Sequence, residues 1–156
     1  MTDVWSLNHT LEVLYLKQDQ LFEQADQVAT EFWDKEKEEN AKRPQSQRGR
    51  MGIRVRRRKG GVQIEWFQLK TRSQGGQTIA KYIKKGHRAK IPKRNYAPYC
   101  QDWEVVMVER AEEQLAPIRR QLSHIKNAIV AIKAQQREEE SAEQLEEGSE
   151  AQTESE

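Results

Sequence analysis

"GIRVRRRKGGVQIEW", residues 52–66, sets four arginines and a lysine among aliphatic residues that recur at every second position on either side of a Gly-Gly pair. Alternation of period two marks a half-buried strand, and a glycine pair between two such runs marks a tight hairpin. With Gly60 and Gly61 as the turn, Lys59 pairs with Val62, Arg57 with Ile64, Val55 with Trp66 and Ile53 with Gln68. One face of the ribbon then holds Ile53, Val55, Val62, Ile64 and Trp66. The other holds Arg54, Arg56 and Arg58, opposite Phe67, Glu65 and Gln63 respectively, with Glu65 placed to hold the Arg56 guanidinium. Adjacent cations on a strand repel, so such a face is expected to meet an anion.

A third run, Gln77 to Lys85, carries Ile79, Tyr82 and Ile83 after the loop 71–76 and predicts a third antiparallel strand. Three short strands alone are marginal, so their apolar face must rest on something else. The flanks supply it. Before the sheet, Val4, Leu7, Leu11, Leu14, Gln18, Leu21, Ala25, Val28 and Phe32 step by alternating threes and fours, the seam of a helix from about Val4 to Asn40 that ends before Pro44. Trp5, Tyr15, Phe22 and Trp33 lie beside that seam and widen it.

After the sheet, Val108, Ala111, Leu115, Ile118, Leu122, Ile125, Ile129 and Ile132 repeat the pattern over a helix from about Gln101 to Arg137, with Pro117 expected to kink or divide it. The expected fold class is α+β: a small three-stranded antiparallel sheet inserted between two long helices that pack as an antiparallel, coiled-coil-like hairpin. A homodimeric coiled coil is the competing use of the same seams. The expected divisions are an N-terminal heptad helix at 1–41, a basic sheet region at 42–100, a C-terminal heptad helix at 101–137 and an acidic tail at 138–156. That tail has nine glutamates and no basic residue, and is expected to be disordered.

The net charge of +2 conceals a sharp separation. From Lys42 to Arg94 there are 18 Lys and Arg against one acid, Glu65, whereas the rest of the chain has 9 basic and 24 acidic residues. Solubility alone is served as well by interspersed signs, so the middle window is the candidate anion-binding region. Guanidiniums on a two-stranded ribbon match the major groove of B-DNA and its phosphates; Gln63 is suited to adenine, and Phe67 to stacking or covering a thymine methyl. The nucleic-acid-binding set read this way is Arg48, Arg50, Arg54, Arg56, Arg58, Lys59, Gln63, Phe67, Lys70, Arg72, Lys84, Lys85, Arg88, Lys90, Lys93 and Arg94. Charge does not separate DNA from RNA, so an RNA- or ribosome-associated protein is one alternative and a coiled-coil adaptor for protein partners another.

Other chemistry is not supported. Cys100 stands alone, the histidines at 9, 87 and 124 share no ligand spacing, and no P-loop or nucleophile elbow occurs. No catalytic residue, metal or cofactor is expected, and the chain reads as a non-enzyme. Neither a membrane-length apolar run nor a secretory signal is present, so the expected location is the cytoplasm.

The blocks "RVRRRKGGVQIEWFQ" at 54–68, "TIAKYIKKG" at 78–86 and "DWEVVMVERAEEQLAPIRRQL" at 102–122 resemble the MobI-type conjugative transfer proteins of integrative and conjugative elements and related plasmids. The likeness spans roughly residues 50–135, and Arg54, Arg56, Ile64, Glu65, Trp66, Tyr82, Lys85, Gly86, Trp103 and Glu104 fall on the family's pattern, whereas the resemblance implies no role for Cys100 and Pro117. The resemblance implies an accessory factor that binds double-stranded DNA at or near the origin of transfer and assists a relaxase or other relaxosome protein. A relaxase itself needs clustered histidines and a tyrosine nucleophile beside a metal. Tyr82, Tyr96 and Tyr99 read instead as packing residues of sheet and loop.

Overall fold

The computed structural model describes residues 6–71 and 75–154. Ser6 opens the first helix: its backbone is extended and its hydroxyl accepts from the His9 N–H at 3.2 Å, filling one of the donors that a helix start leaves unpaired. Helix α1, Leu7–Ala41, buries Leu11, Leu21, Ala25, Val28 and Phe32. These are seam positions expected from the spacing; Val4 and Trp5 lie outside the described residues. Three antiparallel strands follow in spatial order β1-β2-β3: β1 Met51–Arg58, β2 Gly61–Thr71 and β3 Thr78–Tyr82. A short helix α2, Lys93–Tyr96, leads to α3, Asp102–Glu154.

The two long helices pair antiparallel. Near one end Gln136 Nε2 donates to Asn8 Oδ1 at 2.7 Å, and at the other Glu36 lies beside Glu104. The seams thus bury each other within one chain. Pro117 neither divides nor ends α3. A proline inside a helix costs about 3 kcal/mol locally, but Ala116 and Ile118 on either side of it are buried, and packing there outweighs the lost bond. Past Arg137, where the spacing places its end, α3 continues to Glu154. Residues 138–150, within the tail expected to be disordered, are helical and exposed, and the helix propensity of Glu, Gln, Ala and Leu and local contacts such as Gln135 Nε2 to Glu139 Oε1 at 3.4 Å favour those turns.

The sheet lies along α1, from Arg57 beside Asp19 to Gly49, just before β1, beside Asn40. Ile53, Ile64 and Trp66 face Leu21, Ala25, Val28 and Phe32 of α1 and Val108, Leu115 and Leu122 of α3, with Ile91 and Tyr96 completing the core. Phe32 meets Trp66 edge-on, centroids 4.8 Å apart. The Trp66 indole N–H donates to Glu112 Oε2 at 2.8 Å, and Glu112 Oε1 accepts from the Ile91 N–H at 2.8 Å and from Arg119 Nη1 at 2.7 Å. Arg119 Nη1 also donates to the Ala89 carbonyl at 2.8 Å. One buried carboxylate therefore joins β2, the segment before α2, and α3.

A second buried acid sets where β1 begins. Glu104, in the first turn of α3, accepts from the Gln101 N–H at 3.1 Å, as in a capping box, and from the Met51 N–H at 3.0 Å. Asn40 clamps Gly49 from the other side through both its backbone groups, at 2.8 and 3.1 Å. A Cβ at Gly49 would collide with the carboxyls of Glu104 and Glu36, so only glycine fits. Burial, then contact with Glu104, pushes the Glu36 carboxyl from 4.5 up to about 9. Between those values the folded chain keeps a proton that the unfolded chain releases. Folding stability therefore falls as pH rises from about 4.5 to about 9 and levels off above. Urea midpoints of Glu36→Gln should show this alkaline loss flattened relative to the parent chain; equal pH dependence in both would contradict it.

Candidate nucleic-acid interface

The hairpin turn is Lys59-Gly60, not Gly60-Gly61: Arg58 pairs with Gly61, Arg57 with Val62, Val55 with Ile64, Ile53 with Trp66 and Met51 with Gln68. Gly60 takes φ +88° at the second turn position, a value that suits glycine and not lysine. The pairing is displaced from the expected one by one pair, which leaves every side chain on its expected face. Arg54, Arg56 and Arg58 share the solvent side of the ribbon with Gln63, Glu65 and Phe67, but Arg54 now stands across from Glu65 and Arg56 from Gln63.

The three guanidiniums are held in a row. Glu65 Oε1 lies 2.8 Å from Arg56 Nη2 and 3.7 Å from Arg54 Nη2, so it grips Arg56 diagonally and Arg54 from directly across. Gln63 Oε1 accepts from Arg56 Nε at 3.1 Å and from Arg58 Nε at 3.0 Å. The Gln63 carbonyl, expected to read adenine, is occupied in aligning its neighbours. The row carries three positive charges against one negative, and its side chains have already lost much of the rotamer freedom that binding an anion would otherwise remove.

Beside the row lies an aromatic strip. Phe67 sits between Trp33 of α1, with centroids 6.1 Å apart, and Tyr82 of β3, 5.8 Å away. Arg54 lies over the Tyr82 ring at 5.4 Å. Trp33 reaches this face around the β1 edge, where its indole N–H donates to the Ile53 carbonyl at 2.8 Å. The crossing is possible because position 52 is glycine: a Cβ there would stand 2.5 Å from the Phe67 ring and 2.6 Å from Trp33. Phe67 is thus the middle ring of a cluster instead of an isolated stacking residue. Trp33 and Tyr82 lie outside the sequence-derived set; the hints were that Trp33 lies off the seam, and that Tyr82 shares the alternation of the third strand and falls on the family's pattern.

The remaining cations divide into groups. Lys59 at the hairpin tip, Arg58, Lys85 and Lys126 line a cleft of about 780 Å³ over Ile64 and Leu122. It opens there because β3 pairs only with Phe67–Thr71, so residues 61–65 of β2 have no strand on that side. Desolvation, followed by nearby Arg119, holds the Lys85 ammonium below its usual value. Lys84, Arg88, Lys90, Lys93 and Arg94 are exposed along the segment from β3 to α2, anchored by the Glu112 node. At the opposite end Arg48 and Arg50 line a smaller recess of about 150 Å³ with Gln68 and Tyr99. Lys70 alternates onto the side of the sheet away from the arginine row, and Arg72 lies outside the described residues. Arg57, also on that other side, pairs with Asp19 and covers the Phe22 ring at 4.3 Å.

Burial raises the Cys100 thiol to about 12, with Glu104 and Glu36 adding to the effect, so it stays un-ionised at neutral pH. Among the described residues no three His, Cys, Asp or Glu gather as metal ligands, and no helix is long and apolar enough to cross a membrane. No curated protein and no solved structure matches the chain. The family model described as MobI protein matches residues 21–133, which takes in most of α1, the whole sheet with its arginine row, and α3 as far as Lys133, and the chain belongs to the MobI family of accessory proteins of conjugative mobilisation.

Proposed function

We propose that the chain is a non-enzymatic DNA-binding accessory protein for initiating conjugative transfer, acting at or near the origin of transfer and assisting the relaxase. The observation that carries this reading is the aligned row Arg54, Arg56 and Arg58 on the solvent side of the sheet, in a chain of the MobI family. A strand of duplex phosphates laid along the row meets guanidiniums held at strand spacing, and the exposed cations of 84–94 widen the basic footprint beyond it. The helical hairpin serves as scaffold and offers exposed outer faces to a relaxosome partner; its own seams are consumed by each other, which favours this reading over a homodimeric coiled-coil adaptor.

Gel-shift titration with an origin-of-transfer duplex tests it. Affinity should fall with salt on a log-log slope of about −0.9 per phosphate neutralised. Binding that is absent, or insensitive to salt, would overturn the proposal. Structured RNA added as competitor should release the protein less readily than the same duplex does.

A further inference from the structure

The proposed function accounts for the arginines but not for the rings beside them. Trp33 and Tyr82 keep 38% and 43% of their surface exposed although both are pinned, Trp33 through its hydrogen bond to Ile53 and Tyr82 through strand pairing with Phe67. Most proteins hide such large rings or leave them singly on the surface; a fixed row of three beside cations is a different arrangement.

We infer that the strip Trp33–Phe67–Tyr82, flanked by Arg54 and Arg56, is a binding site for single-stranded DNA, on which unpaired bases stack while the guanidiniums hold the backbone. This inference rests on the DNA-binding reading above and adds a second substrate form to it. Three features carry it. Aromatic rings give every base a π-face to stack on, but bases inside a duplex are already stacked and cannot use them. The rings and the arginine row lie on one side of one sheet, so a strand whose phosphates follow Arg54, Arg56 and Arg58 has the rings within reach of its bases. The surface is also prepared before binding: glycine at 52 lets Trp33 and Phe67 cover the strand, and Arg54 already stacks on Tyr82 in the way an incoming base can.

Tryptophan emission and fluorescence anisotropy of the full chain provide the test, with an oligo-dT strand of about 16 nucleotides, one site size, as probe. Oligo-dT should quench the emission, and Trp33→Phe should abolish most of that quenching. Tyr82→Ala should weaken oligo-dT binding by roughly tenfold or more, the loss of one stacked base, while duplex affinity changes much less. Tyr82→Phe, which keeps the ring, should restore it. Circular dichroism identifies any variant that fails to fold, and Tyr82 is suited to the purpose because it is exposed in β3. Duplex binding with no oligo-dT binding, or equal losses on both probes in Tyr82→Ala, overturns this inference while leaving the proposed function standing. Tighter binding of oligo-U than of oligo-dT overturns the DNA assignment, and failure of both DNA forms overturns the inference and the proposed function together.

Discussion

Replacing Glu112 by glutamine should lower the unfolding free energy by about 3–5 kcal/mol, the usual cost of removing one partner from a buried ion pair. Glu112 is fully buried and Arg119 is 7% exposed, their contact is 2.7 Å, and the same carboxylate holds the Trp66 indole and the Ile91 N–H. A glutamine retains an acceptor but presents an amide N–H₂ to a site surrounded by donors, and it leaves the Arg119 charge uncompensated in the core. Urea denaturation followed by circular dichroism measures the loss. The double substitution Glu112→Gln with Arg119→Met should recover part of it, since the stranded charge is then gone. If the double variant is as unstable as the sum of the two singles, the charge pair is not the source of the effect.

That node was beyond the reach of sequence patterns. Glu112 and Arg119 lie beside the seam of α3 and look like the solvated flank of an amphipathic helix; they are buried because the segment after β3 closes over them, and no spacing rule describes that segment. The architecture itself was legible, because a change of period from 3.5 to 2 and back again says where helices give way to strands. The strand faces were legible for the same reason. The register was not, since displacing the hairpin by one pair preserves which side each residue faces, and hydrophobic alternation cannot detect it. Turn chemistry decides: one glycine with positive φ is required, and Gly60 supplies it.

The site divides along the same line. Arg54, Arg56 and Arg58 follow from alternation alone, whereas their clamping by Gln63 and Glu65 depends on the register. The contribution of Trp33 depends on tertiary packing, because its ring comes from a helix and arrives over Gly52. The cations from Lys84 to Arg94 counted fully toward the charge window, and of them Lys85 lines the cleft at the open edge of β2 together with Arg58 of the row.

The row also predicts a sharp difference between neighbouring arginines. Changing Arg54, Arg56 and Arg58 together to alanine should weaken duplex binding by on the order of 100-fold at about 0.1 M salt and reduce the log-log salt slope by about 3, one for each lost phosphate contact. Arg57→Ala removes a charge from the same strand but from its other side, where the guanidinium is engaged with Asp19 and Phe22; it should change affinity by less than about threefold and the slope by much less than one. A purely diffuse electrostatic attraction would make Arg57→Ala and Arg56→Ala equivalent, because the net charge change is the same. A built phosphate track would not, since only Arg56 belongs to the row that Glu65 and Gln63 align. Folding should survive the triple substitution with its helical circular dichroism intact, because none of the three side chains enters the core. Loss of that signal would mean that the arginines support the sheet, and equal effects of Arg56→Ala and Arg57→Ala would mean that charge alone, without the row, attracts the DNA.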